Sequence, residues 1–109
     1  ITEALRIEAR MYLPGRTAKL AQQFKFKFNN VTVRNAKTRW GSCSGKNNIS
    51  LNIQLMRLPD HLIDYVIMHE LCHTVEKNHG PKFWALLNKI SEQAKVLDKE
   101  LKSYNPEIF

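Results

Sequence analysis

The stretch from residue 62 to residue 75 constrains the fold more than any other part of the chain, because it is apolar on nearly every side of a helix. A helix without a polar face belongs in the centre of a domain. Two histidines and a glutamate, His69, Glu70 and His73, are nevertheless clustered within five residues near the end of this stretch. Burying such groups is costly unless they are paired or bound to a metal ion. We therefore expect a central helix that carries a specific polar site.

The spacing of the two histidines is typical of a metal site. Residues four apart lie on one face of a helix with β-carbons roughly 5–6 Å apart, so His69 and His73 can share one tetrahedral ion. Glu70 follows the first histidine and would lie beside the ion rather than on it. There it can accept a proton from a water molecule whose pKa the metal lowers to about 7. The pattern predicts a metal-dependent hydrolase with Glu70 as general base.

The third ligand has two candidates. A catalytic zinc usually has three protein ligands and one open position. His79 is preferred, since it lies just past the predicted helix end, where Asn78 and Gly80 allow the chain to turn back. Glu92, on the following helix and among surface lysines, is the alternative. Nitrogen ligands favour Zn²⁺, although nickel, cobalt or manganese would also fit.

The remaining periodicities predict a small α+β domain. Residues 2–23 have helical spacing, with a kink or break expected at Pro14. Three short strands are predicted at residues 31–34, 39–44 and 49–54. A last helix follows Pro81. Because the connections are short, we expect a three-stranded antiparallel sheet packed on the central metal-binding helix, with an N-terminal and a C-terminal helix.

Residues outside the central helix are candidates to support the site. The strand at 49–54 is a candidate edge for pairing with an extended peptide. Arg39 either stabilises a developing oxyanion or forms a structural ion pair. Glu76 either orients a ligand histidine or is a helix-end charge. Phe83 and Trp84 are expected to pack the last helix onto the metal helix.

The length and composition suit one domain of a cytoplasmic protein. The 109 residues make a single domain, residues 1–109, and the first residue, Ile1, suggests a fragment of a longer protein. No apolar run approaches the roughly 20 residues that span a bilayer, and residues 1–30 lack a signal-peptide core. Cys43 and Cys72 do not make a disulfide scaffold and are expected to be reduced.

The charge of the chain lies in its first third. Residues 1–39 hold nine Lys or Arg and two Glu, whereas residues 40–109 hold eight basic and eight acidic residues, so the whole net charge of +7 lies in the first segment. A basic face of this kind is either a solvated helix surface or a contact for nucleic acid or an acidic partner.

Several strings of the chain resemble the YgjP-like metallopeptidases in order and spacing. Residues 37–44, KTRWGSCS, resemble the RWGSC signature of that family. The strand at 49–52, the segments 63–73 and 76–80, and Phe83-Trp84 follow at the expected places. The resemblance covers about residues 31–90 and is far more specific than the HExxH motif alone.

The resemblance implies a minimal zincin-like core, related to the SprT-like proteases. It implies a zinc peptidase acting on peptides or proteins, with His69, His73 and His79 as metal ligands and Glu70 as the catalytic residue. Family members are usually longer at the N-terminus, which also suggests a fragment. Some SprT-like relatives cleave proteins attached to DNA.

Two further hypotheses stand beside peptide hydrolysis. The chain is alternatively a nucleic-acid-associated module with a structural zinc, whose closed four-ligand site would recruit a residue such as Cys43. Peptide hydrolysis and nucleic-acid binding would combine in a DNA-recruited protease. A hydrolase of non-peptide substrates is the third possibility. The sequence leaves the oligomeric state open.

Overall fold

The computed structural model describes residues 2–104, apart from the side chain of Thr2, and its elements follow the predicted order. They are α1 (Thr2–Phe24), β1 (Val31–Arg34), β2 (Gly41–Cys43), β3 (Ile49–Asn52), a 3₁₀ turn (Ile53–Arg57), α2 (Asp60–Cys72), α3 (Pro81–Ile90) and α4 (Ala94–Lys102). Four helices and one three-stranded sheet give the predicted α+β fold. In this part of the chain, no helix combines the length and the apolar character needed to cross a membrane.

Helix α2 is the centre of the molecule. Eight of its 13 residues are buried. One side packs in a cluster with α1, β3 and the 3₁₀ turn, and the other side packs through Tyr65 and Cys72 against Phe83, Leu87 and Ala94 of α3 and α4. Because helices and sheet surround it, α2 holds the ionisable residues of its last turn in a largely dry environment.

Helix α1 continues through Pro14, where a kink or break was expected. Proline removes one backbone hydrogen bond, but the buried Leu13 and Leu20 hold both halves of the helix on the core. Arg16 attaches α1 to α2, since its Nε and Nη2 donate to the two carboxylate oxygens of Asp64 at 2.8 and 2.6 Å. The paired geometry fixes the angle between these helices more firmly than one contact would.

The sheet is mixed rather than wholly antiparallel, which corrects one detail of the prediction. The strand order is β1-β3-β2, with β3 antiparallel to β2 and parallel to β1. The prediction assumed that strands adjacent in sequence pair with one another. Instead, the chain passes from β1 beyond the position of β3, forms β2, and returns between them. The strand at 49–54 is therefore central and ends at Asn52, so β2 is the edge strand that lies beside α2.

The predicted C-terminal helix is divided into two. The chain leaves α3 at Ile90 and enters α4 at Ala94, and Gln93 between them has a left-handed backbone with φ of 63°. The turn lets Leu97 and Leu101 pack beside α2. Periodicity alone did not predict the break, because the connection contains neither Gly nor Pro.

Candidate metal centre

Three histidines converge at the C-terminal end of α2. His69 lies in its last turn, His73 is its C-cap, and His79 lies in the loop before α3. Their ring centroids are between 4.4 and 5.2 Å apart, and one ligand atom of each lies within 4.8 Å of the others. Within residues 2–104, this is the one group of three or more His, Cys, Asp or Glu side chains close enough to share a metal ion.

His73 is oriented by the backbone that follows it. Its ring is buried, and its Nδ1 lies 3.0 Å from the carbonyl oxygen of Glu76. Because a carbonyl only accepts, Nδ1 carries the proton and Nε2 is left with a free electron pair. Burial lowers the pKa of His73, which favours the neutral form that metals bind. The orienting group is thus the carbonyl of Glu76 and not its carboxylate.

The free nitrogen of His73 faces a second histidine. Its Nε2 lies 3.0 Å from Nε2 of His79, and two electron pairs cannot face each other at that distance without a proton or a cation between them. The ring of His69 completes the group. Three imidazoles with converging nitrogens are a donor set that zinc and its neighbours in the transition series prefer. The residues present therefore fit a divalent metal ion.

Phe83 forms an apolar floor for the three imidazoles. It is fully buried in the first turn of α3 and stacks on His73 with centroids 4.4 Å apart and planes at 23°. The rings of His69 and His79 each lie 4.9 Å from it. The expected packing of the last helix on the metal helix is thus made partly by the imidazoles themselves. An apolar shell of this kind limits rotation of the ligands and excludes water from one side.

Glu70 lies beside the cluster, between α2 and the edge strand. Its side chain is 7% exposed, and Oε2 lies 3.4 Å from Nδ1 of His69. Gly41 of β2 passes directly over it: a β-carbon at that position would lie 3.2 Å from Cγ and 3.3 Å from Oε2 of Glu70. The close approach of the β2 backbone holds the carboxylate at the mouth of the site.

Two depressions meet at this carboxylate. A groove of about 360 Å³ contains the three histidines, Glu70 and the edge strand. A neighbouring pocket of about 200 Å³ lies on the other side of Glu70 and has walls from Trp40, Tyr65 and Leu101. Burial raises the pKa of Tyr65, so its hydroxyl stays protonated and donates to Asp98 at 3.1 Å. The exposed Arg39 borders both depressions.

The other predicted candidates lie apart from the cluster. Glu92, the alternative third ligand, is exposed in the connection between α3 and α4 and is outside the histidine group. His61, the remaining histidine of the chain, was not predicted as a ligand; it is exposed, and its Nε2 lies 2.9 Å from Oε2 of Glu100. Cys43 lines the groove as a free thiol but does not join the group.

Two residues of the site were not identified as such from the sequence. Gly41 had a detectable signal, since a glycine inside a strand often marks a close backbone approach. Phe83 was expected to pack the helices, but nothing in its spacing indicated contact with the histidine rings. Both act across separate elements, and helical spacing detects only contacts within one element.

Solved structures with the same fold include two archaeal metallopeptidase zymogens. The zymogen of Pyrococcus abyssi abylysin has a TM-score of 0.68 and 22% identity, over 82% of this chain and 91% of that chain. The zymogen of Methanocaldococcus jannaschii jannalysin has a TM-score of 0.67 and 24% identity, over 82% and 90%. At these identities the likeness concerns the fold.

Comparison at the sequence level gives the family. No curated protein matches the chain significantly. The model of the YgjP-like metallopeptidase domain matches residues 1–104, which extends the resemblance found in residues 31–90 to nearly the whole sequence. The chain therefore belongs to the YgjP-like metallopeptidase family and is a metal-dependent hydrolase.

Proposed function

We propose that this protein is a zinc-dependent peptidase in which His69, His73 and His79 hold the metal and Glu70 is the general base. The observation that carries the proposal is the facing pair of nitrogens, Nε2 of His73 and Nε2 of His79, 3.0 Å apart. The buried carboxylate of Glu70 lies beside that group. The family supports peptides or proteins as the substrate class.

The three imidazoles suit zinc better than harder cations such as magnesium, which prefer oxygen ligands. Zinc bound there would polarise the scissile carbonyl and lower the pKa of a water molecule towards neutrality. The apolar floor made by Phe83 keeps bulk water away from one side, so that the charges of the site interact more strongly than they would in water.

Glu70 accepts the proton of the attacking water and then delivers it to the nitrogen of the leaving amine. The carboxylate suits this role because it is buried and is confined between Gly41 and His69. A base held in one orientation needs no rearrangement before proton transfer. Arg39 and Lys77 are the cations that border the groove, and Arg39 is the candidate to stabilise the oxygen of the tetrahedral intermediate.

The edge strand β2 offers a place for an extended peptide. It lies at one end of the strand order, and Gly41, Ser42 and Cys43 border the groove that contains the histidines. Main-chain hydrogen bonds to such an edge can align a peptide without regard to its side chains. The pocket walled by Trp40 and Tyr65 is next to Glu70 and suits an apolar side chain of that peptide.

Substituting Glu70→Gln tests the base. The amide keeps the shape but cannot accept the proton, so we expect peptide turnover to fall at least about 100-fold. Zinc content, measured by mass spectrometry on the same preparation, should stay at the wild-type level because Glu70 is not a ligand. Full activity in this variant would show that another group is the base.

Zinc content also tests the ligand set. We expect His79→Ala to lose most of its zinc, whereas Glu92→Ala, the matched substitution at the alternative ligand, should keep it. The reverse result would make Glu92 the third ligand. Loss of zinc in both variants would mean that the metal content depends on folding rather than on these side chains.

The structural-zinc alternative has less support. A closed site needs four protein ligands, and the group within residues 2–104 contains three, with Cys43 outside it. A metal ion held by three protein ligands keeps one coordination position open for water, which favours a catalytic role.

A DNA-recruited protease would require nucleic-acid binding by the basic first third, which a steep loss of affinity with salt would reveal. The cytoplasmic location that we propose rests on the lack of a disulfide scaffold in the sequence.

A further inference from the structure

The outer face of the sheet carries a row of hydroxyl groups. In the strand register, Thr32 of β1 pairs with Ser50 of β3, which pairs with Ser42 of β2. Side chains alternate along a strand, so these three lie on one face, opposite the apolar residues that pack against the helices. Arg34 lies two residues after Thr32 and points to the same face. The outer face is polar and able to donate hydrogen bonds.

This face is cationic and is not neutralised. From residue 9 to residue 59 the chain contains ten Lys or Arg and no Asp or Glu. Arg34 and Arg39 are both exposed, and neither guanidinium has an ion-pair partner within residues 2–104. Arg16, by contrast, is paired with Asp64. Arg34 is therefore free to bind an anion from outside, and Arg39 adds positive charge between this face and the metal site.

The cationic face is continuous with the metal site. Two depressions of about 310 and 420 Å³ lie along it, and both are bordered by Arg34, Arg39, Ser42 and Ser50. Arg39 and Ser42 also border the groove that contains the histidines. A polypeptide lying along β2 would thus extend from the reacting groups directly onto this face. We call the two depressions together the sheet groove.

We propose that the sheet groove binds carboxylate side chains of the substrate, so that the enzyme prefers acidic polypeptide segments next to the scissile bond. This inference rests on the proposed peptidase function. Arginine presents paired donors that match a carboxylate, and the hydroxyl row supplies further donors. Each of the two depressions is large enough for one or two side chains but too small for a nucleic-acid duplex.

The lining of the sheet groove argues against single-stranded nucleic acid as its occupant. Proteins that bind single strands stack the bases on aromatic side chains. Neither depression has an aromatic residue among the side chains that border it. A carboxylate-bearing peptide needs only cations and hydroxyl donors, which are the groups present.

Binding measurements with labelled peptides test the inference. The probes are peptides of one length and one Gly-Ala backbone that carry Glu, Gln or Lys at the same positions, together with a DNA single strand of similar length. The protein is the full chain with Glu70→Gln, prepared with zinc, so that binding is measured without cleavage. We expect the Glu peptide to bind about tenfold more tightly than the Gln peptide, and the Lys peptide most weakly.

Arg34→Gln in this background distinguishes the groove from general attraction to a basic protein. It should weaken binding of the Glu peptide about three- to fivefold and change binding of the Gln peptide little. Arg10→Gln is the matched control, since it removes the same charge from an exposed position on α1 that does not border the sheet groove. The inference would be overturned if Arg34→Gln and Arg10→Gln lost the same amount of affinity for the Glu peptide. It would also be overturned if the Glu and Gln peptides bound equally well, or if DNA bound more tightly than the Glu peptide.

The same peptides separate the inference from the function on which it rests. If the wild type cleaves none of them but the Glu preference and its loss in Arg34→Gln are observed, the groove binds acidic segments and the peptidase proposal fails. If the wild type cleaves the Gln peptide as efficiently as the Glu peptide, the peptidase proposal stands and the substrate preference fails.

Discussion

At the scale of single residues, the position of Glu70 depends on the absence of a side chain at Gly41. The backbone of β2 approaches so closely that an added β-carbon would lie 3.2 Å from Cγ of Glu70 and 3.2 Å from the carbonyl oxygen of Ser50. The Ser50 oxygen belongs to the sheet and cannot move easily. The carboxylate would have to shift by a few tenths of an ångström.

We expect Gly41→Ala to lower peptide turnover more than it lowers stability. A misplacement of about 1 Å can cost about 100-fold in rate, so a smaller shift of Glu70 should cost about tenfold. The crowding should reduce the free energy of unfolding by about 1 kcal/mol. Steady-state kinetics and urea unfolding of the same preparation measure both quantities.

Gly45→Ala is the control for this prediction. Gly45 lies in the turn after β2, a β-carbon there has no neighbour within 4 Å, and its φ is not positive. Both activity and stability should match the wild type. A Gly41→Ala variant with normal turnover would mean that the contact with β2 does not position the carboxylate.

The residues of the site differ in how well the sequence predicts them. His69, Glu70 and His73 lie on one helix, where a spacing of four reports proximity directly. His79 and Glu92 remained alternatives, because the path of the chain after α2 decides between them. The contacts of Gly41 and Phe83 join separate elements, and the distance along the chain carries no information about such contacts.

At the scale of elements, one buried asparagine connects β3 to the segment that leads into β2. Nδ2 of Asn52 donates to the carbonyl oxygens of Ala36 and Arg39 at 2.9 and 2.8 Å. Oδ1 accepts from the backbone N–H of Gln54 at 3.0 Å and so caps the 3₁₀ turn. This side chain fixes the crossover from β1 to β2, on which the mixed topology depends.

We expect Asn52→Ala to destabilise the protein by about 2–3 kcal/mol, because it leaves two carbonyls and one N–H without their buried partner. The midpoint of thermal unfolding should fall by about 10 °C. Asn48→Ala is the control: within residues 2–104 the Asn48 side chain makes one long exposed hydrogen bond, 3.4 Å from Asn30, and its removal should cost less than about 0.5 kcal/mol. Equal losses in the two variants would contradict the role given to Asn52.

The elements themselves were easier to predict than their pairing. A strand can be identified from its own residues, as the alternation in residues 49–54 shows, and all three strands were predicted near their observed positions. Pairing depends on groups far apart in the sequence, such as the Asn52 amide and the carbonyls before β2. The break before α4 follows from packing of Leu97 and Leu101 on the core rather than from a Gly or Pro signal.

At the scale of the whole molecule, the metal site lies where the loop before α3 meets the central helix. The core is divided into two clusters that meet at α2, and a chain of 109 residues has a small margin of stability. His69 and His73 belong to α2, whereas His79 lies in the loop that leads into α3. A ligand bound by all three would hold that loop and the start of α3 against the central helix.

Zinc should therefore stabilise the folded protein as well as activate it. A ligand that binds only the folded state at 100 times its dissociation constant adds about 2.7 kcal/mol, which should raise the midpoint of thermal unfolding by about 10 °C. His79→Ala should lose most of this increase, because the loop no longer contributes a ligand. His61→Ala, which removes an exposed histidine outside the cluster, should keep it, each variant being compared with its own chelator-treated sample. If His79→Ala keeps the full increase, zinc binds without joining the loop to α2, and the third ligand lies elsewhere.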